Sequence, residues 1–213
     1  ATFELGGLGD FEKDQSFSYG AWVRIGNENA SAGIIARMDE QAGYRGWDLW
    51  QQGRSVAVHI IDAWADNALK VTTTQPVLTP GQWQHVFATY DGTGQTDGIR
   101  IYIEGKPVPV RVEAGTLKPQ ATIRTQTPLR IGQRSHAQVF EGGGIQDVRI
   151  YSRTLSAAEV QTIADVVPLR AILATPAGER TPQQNDALYS HYLAVGDPQY
   201  PALAKSVVDL ETE

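Results

Sequence analysis

Two stretches concentrate the side chains that could do chemistry: "RMDEQAGYRGWDLW", Arg37 to Trp50, and "HIIDAWADN", His59 to Asn67. The first supplies Arg37, Asp39, Tyr44, Arg45, Trp47 and Trp50, and the second His59, Asp62, Trp64, Asp66 and Asn67. Aromatic faces stack on the C–H face of a sugar ring, and planar polar groups pair with its hydroxyls. A third stretch, "GQRSHAQVFEGG", adds Arg134, His136 and Phe140 on a loop that could reach the same rim. Arg37, Trp47, His59, Asp62, Trp64, Asn67 and Arg134 form the candidate ligand-binding set. Plainer roles stand beside this one. Trp47, Trp50 and Trp83 fit strand alternation and core packing, and Arg134 alone reads as a surface charge. Trp64, in a turn between strands, has the better claim to exposure.

Other chemistries find less support. The chain has no cysteine and no Gly-x-Ser-x-Gly, so neither common nucleophile motif is available. His59, His85, His136 and His191 show no metal-ligand spacing. His85 reads as a hydrogen-bonded structural residue, His191 as a solvated or docking residue on a helix, and His59 as facing away from Val58 and Ile60. "EGGGIQD" leads into a strand, so no helix N-terminus waits for a phosphate. "DGTGQTDG" resembles a calcium loop but lacks the bidentate glutamate, and a hairpin turn explains it.

Composition narrows the partners. A net charge of −6 argues against a nucleic-acid surface or an anionic membrane. No apolar run has the length of a spanning helix, so membrane insertion is not expected. At 213 residues, one generous domain or one domain plus an appendage is expected. The sequence opens at Ala1 without a methionine or a signal peptide, and is read as a fragment excised from a larger protein.

The elements that must position these residues are mostly strands. "FSYGAWVRI" alternates with period two, and "GIIARM", "GWDLWQ", "SVAVHIID", "ALKVTTT", "QWQHVFATYD", "GIRIYIEGKPV", "PLRIGQ" and "IQDVRIYS" follow it. Turn-forming residues separate nearly all of them and no helix intervenes, which predicts an all-β sandwich. Val148 and Ile150 of the last strand are expected to face inward. "LSAAEVQTIADVV" then reads as a helix, with Ser156 and Glu159 as a capping box and Leu155 and Val160 as its staple. Thr181, Pro182 and Gln184 open a second helix, and "PALAKSVVDLETE" begins a third. Its apolar face, Leu203, Val207 and Leu210, either packs on the sandwich or starts a longer helix. The expected division is a sandwich over 1–167 and a helical extension over 168–213.

These residues also carry a family likeness. "GQWQHVFATYDGTGQTDGIRIYIEGKPV" resembles the laminin-G-like, concanavalin A-like pattern of a Trp-x-His-Val strand, a Tyr-Asp-Gly turn and a Tyr-x-x-Gly strand. "GGGIQDVRIYSRTLSAAEV" is similar to the closing strand of that family, and the likeness covers Thr2 to Val166. It implies a jelly-roll sandwich of two antiparallel sheets with a short helical tail, binding ligands, often sugars, on the concave sheet and its rim loops. In hydrolase branches the two required carboxylates sit on one strand as Glu-x-Asp-x-x-Glu, a spacing absent from every strand here. Asp147 matches a family aspartate that in some members joins a calcium site, with Asp10 as its candidate partner; the simpler reading pairs Asp147 with a turn, Arg149 or Arg153. A finer resemblance is to domains embedded in large planctomycete proteins that also carry cytochrome-c-like segments. It implies export, other domains of the parent chain as neighbours, and a glycan or protein as ligand. The expected function is a non-catalytic carbohydrate-binding module; the alternative is an architectural, protein-interaction domain, and a hydrolase or lyase comes third.

Overall fold

The computed structural model describes residues 2–135 and 137–211. The chain divides into two compact units, Ala1–Ala157 and Ala158–Glu213.

The first unit is a sandwich of two antiparallel sheets. Its strands are β1 (Phe3–Glu4), β2 (Phe17–Arg24), β3 (Ser31–Asp39), β4 (Arg45–Gln52), β5 (Ser55–Ala63) and β6 (Asn67–Thr73). They are followed by β7 (Gln84–Tyr90), β8 (Ile99–Ile103), β9 (Lys106–Val108), β10 (Val110–Thr116), β11 (Arg130–Ile131) and β12 (Gly144–Tyr151). One sheet has the order β1-β11-β3-β4-β5-β6-β10 and the other β12-β2-β7-β8-β9. The strands read from alternation are present. β1 and β10 are additions, and β10 escaped notice for a physical reason. It is an edge strand whose Arg111, Val112 and Glu113 all face solvent, so it carries no apolar alternation.

Between the sheets lies an apolar core built from one face of every long strand. Phe17, Tyr19 and Val23 of β2 meet Trp47 and Leu49 of β4 and Val56, Val58 and Ile60 of β5. Val148 and Ile150 pack against it as expected. Aromatic rings hold one end, with Phe11 stacked on Phe17 at 4.5 Å and Trp47 beside Tyr19 at 4.6 Å. A bulge at Gly33 turns both Ile34 and Ile35 into this core.

In the second unit, α1 (Ala157–Ala174) starts directly after Ser156. It does not stop at Val167 but runs on through Pro168. After it come α2 (Pro182–Gly196) and α3 (Tyr200–Glu211). Thr181 and Gln184 cap α2 reciprocally with Pro182 in the first turn, as the sequence predicts. His191 lies 3.7 Å from Asp165, and Leu203, Val207 and Leu210 are exposed.

Candidate functional site

On the outer face of the seven-stranded sheet, register aligns Asp48 of β4 with His59 of β5, and His59 with Lys70 of β6. Alternation explains why they point outward: Trp47, Leu49, Val58, Ile60, Leu69 and Val71 occupy the inner face. Trp50, Ile61 and the turn residue Trp64 flank this row. Together with Tyr44 and Arg134 they line a pocket of about 260 Å³.

Asp48 is the keystone. Its side chain is fully buried. Oδ1 lies 2.7 Å from His59 Nδ1, and Oδ2 accepts from Arg134 Nε at 2.8 Å and forms an ion pair with Nη2 at 2.5 Å, while Nη2 also lies 3.4 Å from His59 Nδ1. Burial alone would raise the Asp48 carboxyl, but the charge of Arg134, the neighbouring His59 imidazole and the hydrogen bonds from both outweigh it and hold it below the usual range. Arg134 sits over Trp50, its Cζ 3.9 Å from the ring centroid, with Tyr44 at 5.8 Å. Lys70 is held by Gln52 Oε1 at 3.0 Å and Glu113 at 2.6 Å. Trp64 is 46 % exposed, edge-on to the His59 ring at 5.9 Å.

Arg134 arrives from the loop after β11, and a glycine admits it. The backbone of Gln133 and Arg134 crosses β3 over Gly33, where an added Cβ would stand 2.5 Å from Arg134 N and 2.6 Å from Gln133 C. Gly33 N–H also donates to Gln138 O at 3.1 Å. Gly33→Ala must push this loop away. It is expected to lower stability by about 1–3 kcal/mol and to lift Arg134 off Trp50. Urea denaturation and a crystal structure of the variant check this; an unchanged midpoint with Arg134 in place would refute it.

The structure brings His59, Trp64 and Arg134 into one pocket and places the other candidates elsewhere. Trp47 is fully buried in the core and donates Nε1–H to Gly9 O at 2.9 Å. Arg37, paired with Trp47 across β3 and β4, is also buried. Its guanidinium donates to Gly6 O, Leu8 O and Thr125 O and meets Asp10 at 3.2 Å, tying the N-terminal segment to the sandwich. Asp62 receives Arg45 at 3.1 Å and Asn67 Nδ2 at 2.5 Å, while Asn67 Oδ1 accepts Lys118 N. These bonds brace the turn that carries Trp64.

The two calcium candidates each face an arginine. Asp10 bonds Arg37, and Asp147, at positive φ in the β12 bulge, bonds Arg149 at 3.0 Å. Among the described residues no cluster of three or more His, Asp or Glu could hold a metal. His136 lies outside the described residues. His85 is buried as expected for a structural residue, but its Nδ1 has no hydrogen-bond partner. It is held instead by stacking on Phe87 at 5.5 Å.

Sequence reasoning missed Asp48 and Lys70. The signal was available for Asp48. It sits between Trp47 and Leu49, and an acid alternating with two core residues must occupy the opposite face of the strand.

Comparisons with known proteins agree with this architecture. A family model described as the concanavalin A-like lectin/glucanases superfamily, of laminin G type, matches residues 2–161. The zebrafish (Danio rerio) adhesion G-protein coupled receptor V1 is 26 % identical over 146 residues, covering 68 % of this chain but 2 % of the receptor. Among solved structures, the binding domain of Paraclostridial Mosquitocidal Protein 1 superposes with a TM-score of 0.59 at 14 % identity, over 78 % of this chain and 40 % of that one. The ligand binding domain of botulinum neurotoxin serotype D, solved in complex with N-acetylneuraminic acid, gives 0.55 at 14 % identity, over 78 % and 39 %. Identities this low establish a shared fold and nothing finer. From Thr2 to Gln161, which is most of its length, the chain belongs to the concanavalin A-like lectin/glucanases superfamily.

Proposed function

We propose that this chain is a non-catalytic carbohydrate-binding module whose site is the pocket bounded by Trp64, Tyr44, Trp50, His59, Lys70 and Arg134. The observation that carries this reading is a half-exposed tryptophan set beside polar groups whose positions are already fixed. An exposed indole offers a stacking surface for a sugar ring, and pre-fixed donors bind without a large ordering cost. Glycoside hydrolysis calls for two carboxylates flanking the bond. Among the described residues the pocket lining contains none, and Asp48 beneath it is committed to Arg134 and His59. The solved relatives are described as binding domains, which is consistent with recognition rather than turnover.

The chain spans about two fifths of those solved chains and 2 % of the curated relative. That it serves as one module of a larger protein is therefore part of the same proposal; the planctomycete parentage remains an inference from residue resemblance.

A glycan array with the 213-residue chain tests the reading. Trp64→Ala should weaken any hit by about tenfold or more, the equivalent of roughly 1.4 kcal/mol. Full retention of binding in that variant would remove this pocket as the site.

A further inference from the structure

We infer that the sugar taken by this pocket is an anionic one, with a carboxylate or sulfate seated against Lys70, His59 and Arg134 and its ring on Trp64. This rests on the glycan-binding reading above and specifies its ligand class.

The chemistry of the lining carries it. Its polar side chains are Tyr44, Trp50, His59, Trp64, Lys70 and Arg134, and among the described residues no Asp or Glu joins them. Arginine, lysine and indole offer hydrogen bonds and accept none. A neutral sugar presents hydroxyls that donate as well as accept, and in this lining only the Tyr44 hydroxyl and the His59 ring offer side-chain acceptors for their protons. An oxyanion only accepts, and it forms the stronger charge-assisted bonds.

The acids that balance these cations are placed behind or beside them. Asp48 is fully buried and presents one carboxylate oxygen to Arg134 and the other to His59. Glu113 holds Lys70 from the edge strand β10 and is shared with Arg111 at 3.0 Å. Buried Asp48 thus fixes the two groups in place, and Arg134, His59 and Lys70, not the acids that hold them, line the pocket. Arg134 donates Nε to Asp48 and sets Nη2 between Asp48 and His59 Nδ1, and among the described residues neither its Nη1 nor His59 Nε2 has a hydrogen-bond partner in the protein. Lys70 Nζ lies 6.0 Å from the Trp64 ring centroid, so an anion bound at the lysine is one sugar width from the stacking surface.

The test uses matched pairs that differ only in charge: sialyllactose against lactose, a galacturonic acid trimer against its methyl ester, and sulfated against desulfated chondroitin hexasaccharide. Titration calorimetry with the full chain is expected to show at least one acid bound about tenfold more tightly than its neutral partner. That preference should shrink as NaCl rises from about 0.05 to about 0.5 M. The first two pairs report carboxylate and the third sulfate. Lys70→Gln should weaken the preferred acid about fivefold or more and shrink its advantage over the neutral partner by a similar factor, with its thermal midpoint confirming that the fold survives. Equal binding of acid and neutral partners, lost in Trp64→Ala, would overturn this inference and leave the glycan reading intact. Failure of every saccharide to bind would overturn both.

Discussion

Asp48→Ala is expected to destabilise the protein by about 3–5 kcal/mol, the largest effect of any single substitution considered. The reason is what it leaves behind. Arg134 and His59 are each less than a tenth exposed, and both rely on the Asp48 carboxylate for their buried hydrogen bonds. Without it a guanidinium remains in a site that water enters poorly, stacked on Trp50. Asp48→Asn should cost less, because an amide oxygen still accepts from Arg134 while the charge is lost. The pair Asp48→Leu with Arg134→Met should recover much of the loss, since removing both charges also removes their desolvation. Urea denaturation of the wild type, Asp48→Leu, Arg134→Met and the double variant forms a double-mutant cycle, and near-additive costs would show that the ion pair is not coupled.

The same carboxylate fixes a pH dependence. Its folded pKa is depressed, so the stabilisation it gives is present above its unfolded value of 3.8 and drains away as pH falls through the folded value. This places its loss in the strongly acidic range.

A separate and earlier loss is expected from His85. Burial pushes this imidazole down from 6.5 to about 4, with Asp147 opposing the change and Arg149 adding to it. Above pH 6.5 the ring is neutral in both folded and unfolded chains and contributes no slope. Between 6.5 and about 4 the unfolded chain takes up a proton that the folded protein refuses. Stability must fall as pH falls through that window, by about 3 kcal/mol in all, at 1.36 kcal/mol per pKa unit. His85→Phe should flatten the slope there, because it keeps a ring against Trp22 and Phe87 and removes the unpaired Nδ1. The Asp48 window lies below and should persist in that variant. Unfolding free energies measured at intervals between pH 7 and 4 decide the matter; a slope unchanged by the substitution would refute it.

Much of this architecture was legible beforehand because its causes are local. A period of two in "FSYGAWVRI" or "SVAVHIID" decides which side chains share a face, and the turn residues between strands decide where pairing stops. The capped opening of α2 is a matter of three neighbouring residues. Strand alternation even separated His59 from Val58 and Ile60 correctly. Local rules failed where a residue's environment is supplied by distant chain. Arg37 has the chemistry of a ligand contact, yet it is enclosed by carbonyls from Gly6 to Thr125, whereas the core position of Trp47 is the one its strand alternation already indicated.

Alternation and turn residues specify the two-layer β architecture, the faces of its strands and the wealth of aromatic and polar groups around Trp64. Which of those groups meet depends on contacts between distant parts of the chain. Asp48 and Arg134 are separated by 86 residues, and their contact depends on β11 pairing with β3 and on a loop crossing at Gly33. Side-chain alternation has a range of two residues, whereas strand order and register are settled by pairing energies summed over the whole sheet. A charged pocket assembled across three strands, their turns and a remote loop is therefore a property of the fold.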